Sequence, residues 1–325
     1  MLLGVGGCAA LGVTGFGIRD SIAGMADYQF REVTLYDMSV TFAENQEPED
    51  QEAFLKGCAG TVQEALFLHE STADLTAGTR TKSVHFLASQ EELSGFVSLH
   101  RGKEPVAFPE KGQAVISEGL AEVLDIQVGD SVLLHMPDMD TLSVTVSGIF
   151  DNNVYHYVLV SMDTVLEQWG TTPSVNTAYV NVPENQAAQE SATTVSRQAD
   201  VLSVMLCQDI AQRVSSMMTS LNYIVALVVL SAAALAFIVM YNLTNINITE
   251  RIREIATIKV LGFYPAESAA YVFREGMALT AMGCALGLAA GKLLHAFIIR
   301  QVRVDMVYFT PRIFWTSYLW AVVLT

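Results

Sequence analysis

Long runs of uncharged, mostly apolar residues alternate with polar regions along this chain. No charged side chain occurs in residues 1–18, 214–249, 276–291 or 313–325. The stretch 221–241 is almost wholly apolar, and at about 1.5 Å per residue a helix of that length crosses a hydrocarbon core of about 30 Å. The pattern predicts an α-helical transmembrane protein with about four spans.

The polar region between the first two runs is long enough for a domain of its own, with mixed α+β patterning. Both chain ends fall inside apolar runs, so we expect a fragment of a longer membrane protein, with the first and last spans truncated. The predicted order is transmembrane helix 1 at 1–19, an extracellular α+β domain at 20–218, transmembrane helix 2 at 219–241, a cytoplasmic amphipathic segment at 242–265, transmembrane helix 3 at 266–299, an outer loop at 300–312 and the start of transmembrane helix 4 at 313–325.

Within the α+β region, alternation and turn residues predict individual elements. Strands are expected at 33–42, 113–116, 131–134, 142–149, 154–160 and 178–182, and a polar helix at 183–198. Ser117 is expected to cap a short helix that follows the second of these strands. A further helix is expected to begin near Asp209 and to run without a break into the second span.

Charge divides the chain in the same way as hydropathy. Residues 20–215 carry 29 acidic and 9 basic side chains, whereas the rest of the chain is slightly basic. An acidic domain joined to basic membrane flanks fits a domain on the outer side of a cell membrane. Such a charge repels nucleic acid and anionic lipid headgroups, so no nucleic-acid partner is expected.

An amphipathic segment follows the second span. Ile248, Ile252, Ile255, Ile258 and Leu261 recur at helical spacing, charged residues cover the other sides, and Gly262 ends the pattern. Two interpretations stay open on this evidence. The segment is either a solvated cytoplasmic helix that obeys the positive-inside rule or a docking helix for a soluble partner.

This segment resembles the signature of the FtsX/MacB-like ABC transporter permease family, of the type Arg-x-Arg-Glu-Ile-Ala-x-(Ile/Leu)-(Lys/Arg)-x-Leu-Gly. The resemblance extends to an aromatic residue and an Arg-Glu pair entering the third span, and loosely to the region around 113–149. It implies that the segment contacts a cytoplasmic ABC ATPase subunit. The contact residues implied are Arg251, Arg253, Glu254, Ile255, Lys259, Leu261 and Gly262.

The resemblance also implies which role each subunit of such a complex has. ATP and Mg would be bound by the partner ATPase, with no cofactor in this chain. This chain would be a non-catalytic, multi-pass permease subunit in the lipid bilayer, paired with a second permease half or with a copy of itself. ATP-driven closure of the ATPase would push on the amphipathic segment and move the extracellular domain.

The third predicted span carries Gly283, Gly287 and Gly291 at four-residue spacing. Small residues at this spacing let two helices approach closely in lipid. We expect this face to pack against another span, although glycines also occur by chance in membrane helices.

Other site chemistry is missing from the sequence. It has no phosphate-binding Gly-x-x-x-x-Gly-Lys-Ser/Thr loop, no Gly-x-Ser-x-Gly nucleophile motif, no Cys-x-x-Cys pair and no metal-binding histidine spacing. No catalytic or metal site is therefore expected. Cys58 and Cys207 lie in the predicted outer domain, where a disulfide is chemically allowed, but the sequence cannot show that they meet.

Three functions remain open at this point. The chain could export or extract a lipid, peptide or drug. It could relay ATP-driven motion to an extracellular partner such as a cell-wall hydrolase. It could also be a membrane-anchored surface binding protein that works without an ATPase.

Overall fold

The computed structural model describes residues 2–136, 139–183, 186–250, 252–253, 256–257, 265–301, 307–309 and 312–324. The chain divides into two compact units. The helical unit comprises Met1–Gly24, Ser216–Arg303 and Phe309–Thr325, and the α/β unit comprises Met25–Ser215 and Val304–Tyr308. Each unit has its own packing.

Eleven strands are described, all of them in the α/β unit. They are β1 (Met38–Phe42), β2 (Glu64–Ala77), β3 (Arg80–Ser89), β4 (His100–Arg101), β5 (Glu104–Pro105), β6 (Gln113–Ser117), β7 (Ser131–Met136), β8 (Met139–Phe150), β9 (Tyr157–Ser161), β10 (Thr177–Asn181) and β11 (Val201–Leu206). Strands β4 and β5 form a separate small hairpin, and the other nine form one continuous hydrogen-bonded array, which β2 divides into a barrel and a second sheet.

The described helices fall in both units. They are α1 (Leu2–Tyr28), α2 (Pro48–Gly57), α3 (Glu118–Leu124), α4 (Met162–Trp169), α5 (Ala188–Val195), α6 (Cys207–Glu250), α7 (Pro265–Gln301) and α8 (Trp315–Leu324), with a π-helical turn at Gln29–Val33 directly after α1. Ile252, Arg253, Ala256 and Thr257 are also helical.

Six strands close on themselves as a small barrel. The pairs β2–β3, β6–β9, β7–β8 and β2–β7 are antiparallel, whereas β3–β9 and β6–β8 are parallel. In β7 every second side chain is buried, as expected when one face of a strand meets a core. The main apolar cluster of this part includes Leu75, Phe86, Ile116 and Leu134, all fully buried.

The first half of β2 leaves the barrel and joins a second sheet of order β11-β1-β10-β2. Its neighbours there are antiparallel. A second apolar cluster joins this sheet to α2 and α5 through Val40, Phe54, Val180 and Val195. Strand β2 is long, at 14 residues, because it serves both sheets.

Two described helical segments are long and apolar enough to cross a membrane, Tyr223–Glu250 in α6 and Met277–Gln301 in α7. Many apolar side chains of α6 are exposed, including Leu227 and Phe237 at 65% and 73%. Exposed apolar surface on this scale is unfavourable in water and matches a lipid-facing helix. These segments coincide with predicted spans 2 and 3, while spans 1 and 4 remain predictions.

The predicted strands largely agree with those observed, except at their ends. The region predicted as a strand at 33–42 forms β1 only from Met38. Val33 ends the π-helical turn, and Thr34 makes an isolated bridge with Val97 before the chain reaches β1. Five of the described strands were not predicted: the long β2–β3 hairpin at the centre of the sheet, the short strands β4 and β5, and β11. The predicted continuous helix into the second span is present as α6.

Ser117 lies at the predicted N-cap of α3, but its side chain makes no capping bond. The hydroxyl instead accepts a hydrogen bond from the backbone N–H of Tyr157 at 3.1 Å. A buried backbone donor on β9 would otherwise lack a partner, which costs more than an open helix end. Ser117 therefore lies at the predicted cap position, but its hydroxyl does not make the predicted capping hydrogen bond.

Substitution of two neighbouring leucines on β7 tests which face of this strand lies in the barrel core. Leu134 is fully buried, whereas Leu133 is 42% exposed. We expect Leu134→Ala to lower the free energy of unfolding by about 2–5 kcal/mol, because it removes a core side chain and leaves a cavity. Leu133→Ala should cost less than about 1 kcal/mol. Urea unfolding of the full chain in detergent, followed by proteolysis, measures both, and equal losses would contradict this packing.

Candidate functional site

Helix α1 packs against α7 through direct backbone contact. A methyl group added at Gly287 would lie 2.5 Å from the carbonyl oxygen of Gly6 and 2.6 Å from Cβ of Ala9. A methyl group at Gly291 would lie 2.8 Å from the carbonyl oxygen of Ala10. No real side-chain carbon fits at such distances, so only glycine allows the two helices to approach this closely. The structure thus places α1 on the glycine face of α7.

Other glycines of α1 face two more helices. A methyl group at Gly15 would meet Cγ2 of Val229 in α6 at 2.6 Å, and one at Gly12 would meet Cβ of Ala321 in α8 at 3.5 Å. Helix α1 is therefore the central helix of this unit, with neighbours on three sides. The glycines of α1 allow all three neighbouring helices to come close to it.

Polar side chains add fixed contacts to this packing. The Thr14 hydroxyl donates to the carbonyl oxygen of Ala10 at 2.7 Å and to that of Gly291 at 3.3 Å. Ser21 Oγ lies 3.0 Å from Nε2 of the buried His295. Hydrogen bonds between helices are favourable in lipid because the alternative is an unsatisfied polar group, and they set the register of the two helices.

Asp20 caps the start of α8. Its Oδ2 accepts a hydrogen bond from the backbone N–H of Phe314 at 3.0 Å and from the Ser317 hydroxyl at 2.6 Å. A carboxylate at this place satisfies free N–H groups and interacts favourably with the helix dipole. The acidic residue that closes the first apolar run therefore has a structural role.

The predicted ATPase-contact residues fall mostly on positions that the structure does not describe. Arg251, Glu254, Ile255, Lys259, Leu261 and Gly262 lie outside the described residues, as do most of the predicted outer loop at 300–312. Arg253 is helical and exposed, and its neighbour Ile252 is 61% exposed. A charged and an apolar side chain are thus both accessible in the described part of this segment.

The α/β unit contains a cavity with about 600 Å³ of empty space, part of it open to solvent. Its walls come from the residues that precede β1, the barrel strands β3 and β9, the loop 93–99, the π-helical turn after α1 and the first turn of α6. The lining residues are Gln29, Phe30, Thr34, Tyr36, Leu87, Leu93, Val97, Leu99, Phe150, Asn152, Val154, Tyr155, Tyr157, Leu159, Tyr179, Cys207 and Ile210. No sequence pattern indicates this cavity, because its residues are scattered over about 180 positions and follow no motif.

Tyrosines dominate the polar side of the cavity. The rings of Tyr36 and Tyr179 stack with centroids 4.1 Å apart, and the Tyr179 hydroxyl donates to Glu70 Oε2 at 3.3 Å. Burial, with a further contribution from the negative charge of Glu70, raises the pKa of the Tyr157 and Tyr179 phenols well above the usual value. Burial likewise raises the pKa of Tyr36. These phenols therefore stay neutral.

Cys58 and Cys207 are both free thiols, so the disulfide that the sequence left open is not formed. Cys58 is buried in the cluster between α2 and the second sheet. Burial raises the pKa of the Cys207 thiol to about 12, although its hydrogen bond with Tyr36 acts in the opposite direction. No group of three or more His, Cys, Asp or Glu side chains in the described part of the chain could hold a metal ion.

Comparison with protein families confirms the resemblance over the helical unit. Residues 226–325 match the family described as FtsX-like permease C-terminal. This range contains α7, α8, the amphipathic segment and most of the span in α6. The C-terminal part of this chain is therefore similar to the C-terminal part of FtsX-like permeases. No relative was found among curated protein sequences.

Solved structures give weaker likenesses to the α/β unit. The periplasmic region of MacB from Actinobacillus actinomycetemcomitans is 12% identical at a TM-score of 0.39, covering 57% of this chain and 95% of that one. The extracellular domain of the noncanonic ABC-type transporter YknZ from Gram-positive bacteria is 14% identical at a TM-score of 0.34, covering 51% and 99%. Similarities at these TM-scores carry no argument about mechanism.

Glycine substitutions test the close approach of α1 and α7. We expect Gly287→Ala to destabilise the helical unit by about 1–3 kcal/mol, because the added methyl collides with α1 backbone. Gly7→Ala is the matched control, since nothing lies within 4 Å of a methyl at that position. Unfolding in detergent mixtures of increasing dodecyl sulfate content measures both variants. Similar midpoints for the two would show that α1 does not pack here.

Thiol alkylation tests the environment of Cys207. Because its pKa is raised to about 12, almost none of the reactive thiolate is present at neutral pH. We expect iodoacetamide to modify Cys207 at least about 100-fold more slowly than free cysteine, with the rate rising as pH approaches the raised pKa. Unfolded chain serves as the control, and mass spectrometry identifies the site. Alkylation at the rate of free cysteine would place the thiol in water.

Proposed function

We propose that this chain is a non-catalytic permease subunit of an ABC-type complex, which transmits ATP-driven motion to an extracellular domain to export or extract a lipid, peptide or drug. The observation that carries the proposal is the match of residues 226–325 to the FtsX-like permease family. ATP and Mg would be bound by a separate ATPase subunit, in keeping with a sequence that has no phosphate-binding loop.

Helix α6 supports transmission of motion along the chain. It is continuous over 44 residues, from Cys207 to Glu250, so its length is about 66 Å. A hydrocarbon core needs only about 30 Å of that. A helix that extends well beyond its span can carry a displacement at one end to the other, because its backbone hydrogen bonds resist bending.

Charge supports the proposed orientation. The region 20–215 is strongly acidic, and the charged residues after α6 include Arg251, Arg253 and Lys259. Basic residues next to a span favour the cytoplasmic side. We therefore place the α/β unit outside a cell membrane and the amphipathic segment inside, where it would meet the ATPase through Arg251, Arg253, Glu254, Ile255, Lys259, Leu261 and Gly262.

Two further proposals follow from the same family. The complex would contain a second permease half or a second copy of this chain, since one ATPase pair drives two permease parts. A signalling relay that controls an extracellular partner, such as a cell-wall hydrolase, would use the same parts. Stimulation separates the two functions, because a transported molecule should raise ATPase activity, whereas a relay should respond to its protein partner.

A charge swap tests the ATPase contact. The double variant Arg253→Glu with Glu254→Arg keeps the net charge and inverts its placement. We expect at least about a tenfold loss of co-purified ATPase when the two subunits are co-expressed, because charge-assisted bonds are each worth about 1.5–3 kcal/mol. Quantitative mass spectrometry of the purified complex gives the ratio.

Arg197→Glu is the control, since it reverses an exposed charge in the α/β unit. It should leave the amount of co-purified ATPase unchanged. Undiminished association of the swapped variant would remove the proposed docking role. An equal loss in the control would mean that the effect of the swap is not specific to the amphipathic segment.

A further inference from the structure

The α/β unit includes a short stretch of chain that lies between α7 and α8 in the sequence. In this stretch Val307 makes an isolated antiparallel bridge with Val154 and is only 6% exposed. The backbone N–H of Tyr308 donates to the carbonyl oxygen of Asn153 at 2.8 Å. We call Val307 and Tyr308 the strap, because these two residues bind the chain that follows β8.

A glycine of α3 makes room for the strap. A methyl group added at the buried Gly119 would lie 2.9 Å from both Cβ and Cγ of Tyr308. Alanine is the better helix former, so the close approach of the Tyr308 ring explains why glycine stands at this position. The strap is therefore fixed by a seat on α3 as well as by backbone bonds.

The residues that follow β8 also hold the end of α1. Tyr28, the last residue of α1, donates from its hydroxyl to Asp151 Oδ2 at 2.6 Å. Gln29 Nε2 donates to Asn152 Oδ1 at 2.7 Å, and Gln29 Oε1 accepts from the backbone N–H of Asn153 at 2.7 Å. Asn152 and Asn153 are buried, so water cannot readily replace a partner that moves away.

The two attachments meet at one residue. The backbone N–H of Asn153 is bonded to Gln29, and its carbonyl oxygen is bonded to Tyr308. A displacement of either partner must therefore move Asn153 or break one of its bonds. We call Asp151–Val154 the coupling segment, because it binds both the end of α1 and the strap.

We propose that the coupling segment makes the end of α1 and the strap move together and passes their displacement to the barrel. It directly follows β8, which is hydrogen-bonded to β6 on one side and to β7 on the other. A displacement that arrives at Asn153 therefore enters the barrel at the end of β8. The proposal concerns this chain alone and does not rest on an ATPase partner. Its alternative is a pair of independent anchors that happen to lie side by side.

Hydrogen exchange of the full chain in lipid nanodiscs separates coupling from independent anchoring. Gln29→Leu removes both side-chain bonds, so exchange of the Asn153 amide should rise at least about tenfold. If the attachments are coupled, exchange of the Tyr308 amide, to which Gln29 makes no bond, should rise at least about fivefold as well. Mass spectrometry with electron-transfer fragmentation resolves the two amides. A rise at Asn153 alone would overturn the proposal.

Gln198→Leu is the matched control for this variant. It breaks a bond of the same kind in the same unit, since Gln198 Nε2 donates to the carbonyl oxygen of Gly57 at 3.0 Å. It should leave exchange of the Asn153 and Tyr308 amides unchanged. An equal rise in this control would mean that the whole unit has loosened, and would also contradict the proposed coupling.

The reverse experiment begins at the strap, because coupling between two sites is reciprocal. Gly119→Ala pushes Tyr308 from its seat, so exchange of the Tyr308 amide should rise about tenfold and that of the Asn153 amide about fivefold. Gly7→Ala, where nothing lies within 4 Å of the added methyl, should change neither.

The amides of β3, which is paired on both sides within the barrel, report whether each variant still folds. If one variant loses this protection, the other decides. An effect of Gly119→Ala that stays at Tyr308 would show that the strap and the end of α1 are held separately.

Discussion

The helical unit depends on one constraint, which is that α1 must come within backbone contact of its neighbours. Gly6 and Gly287 meet without any side chain between the two helices, and Gly15 gives the same closeness to Val229 of α6. Dispersion contacts between backbones replace the hydrophobic effect, which does not drive helices together in lipid. The polar bonds of Thr14 and Ser21 then fix which residues face each other.

The α/β unit depends in a similar way on one long strand. Glu64–Leu68 of β2 pairs with β10, and His69–Ala77 pairs with β3. The same strand therefore supplies hydrogen bonds to the open sheet and to the barrel, so the two parts cannot separate without breaking its ladder. The cavity lies beside this junction, where Tyr179 of β10 and Leu159 of β9 meet in one apolar cluster.

The end of α1 is held by hydrogen bonds to residues that are distant in the sequence. The Tyr28 hydroxyl donates to Asp151 Oδ2 at 2.6 Å, and the same oxygen accepts from the N–H of Gly102 at 2.9 Å. Asp151 and Asn152 directly follow β8, so the end of a barrel strand holds the chain as it leaves α1. Neither residue belongs to a motif, and no local pattern marks them as partners of Tyr28.

Hydropathy and turn residues predicted spans 2 and 3 and most of the barrel strands, because those signals are local. The β2–β3 hairpin escaped prediction because His69, Glu70 and Asp74 interrupt its alternation, and pairing on both sides of β2 overrides weak local preference. The glycine face of α7 was visible in the sequence, whereas its partner on α1 was not. The cavity depends on residues brought together only by the fold, so no sequence pattern could indicate it.

The backbone contact between α1 and α7 limits how these helices can move. Ordinary helix interfaces yield by changing side-chain rotamers, but glycines have none to change. The glycines of α7 repeat every four residues, so a shift of α7 along α1 reaches the next fitting position only after about 6 Å. Movement at this contact would therefore occur in steps between discrete registers.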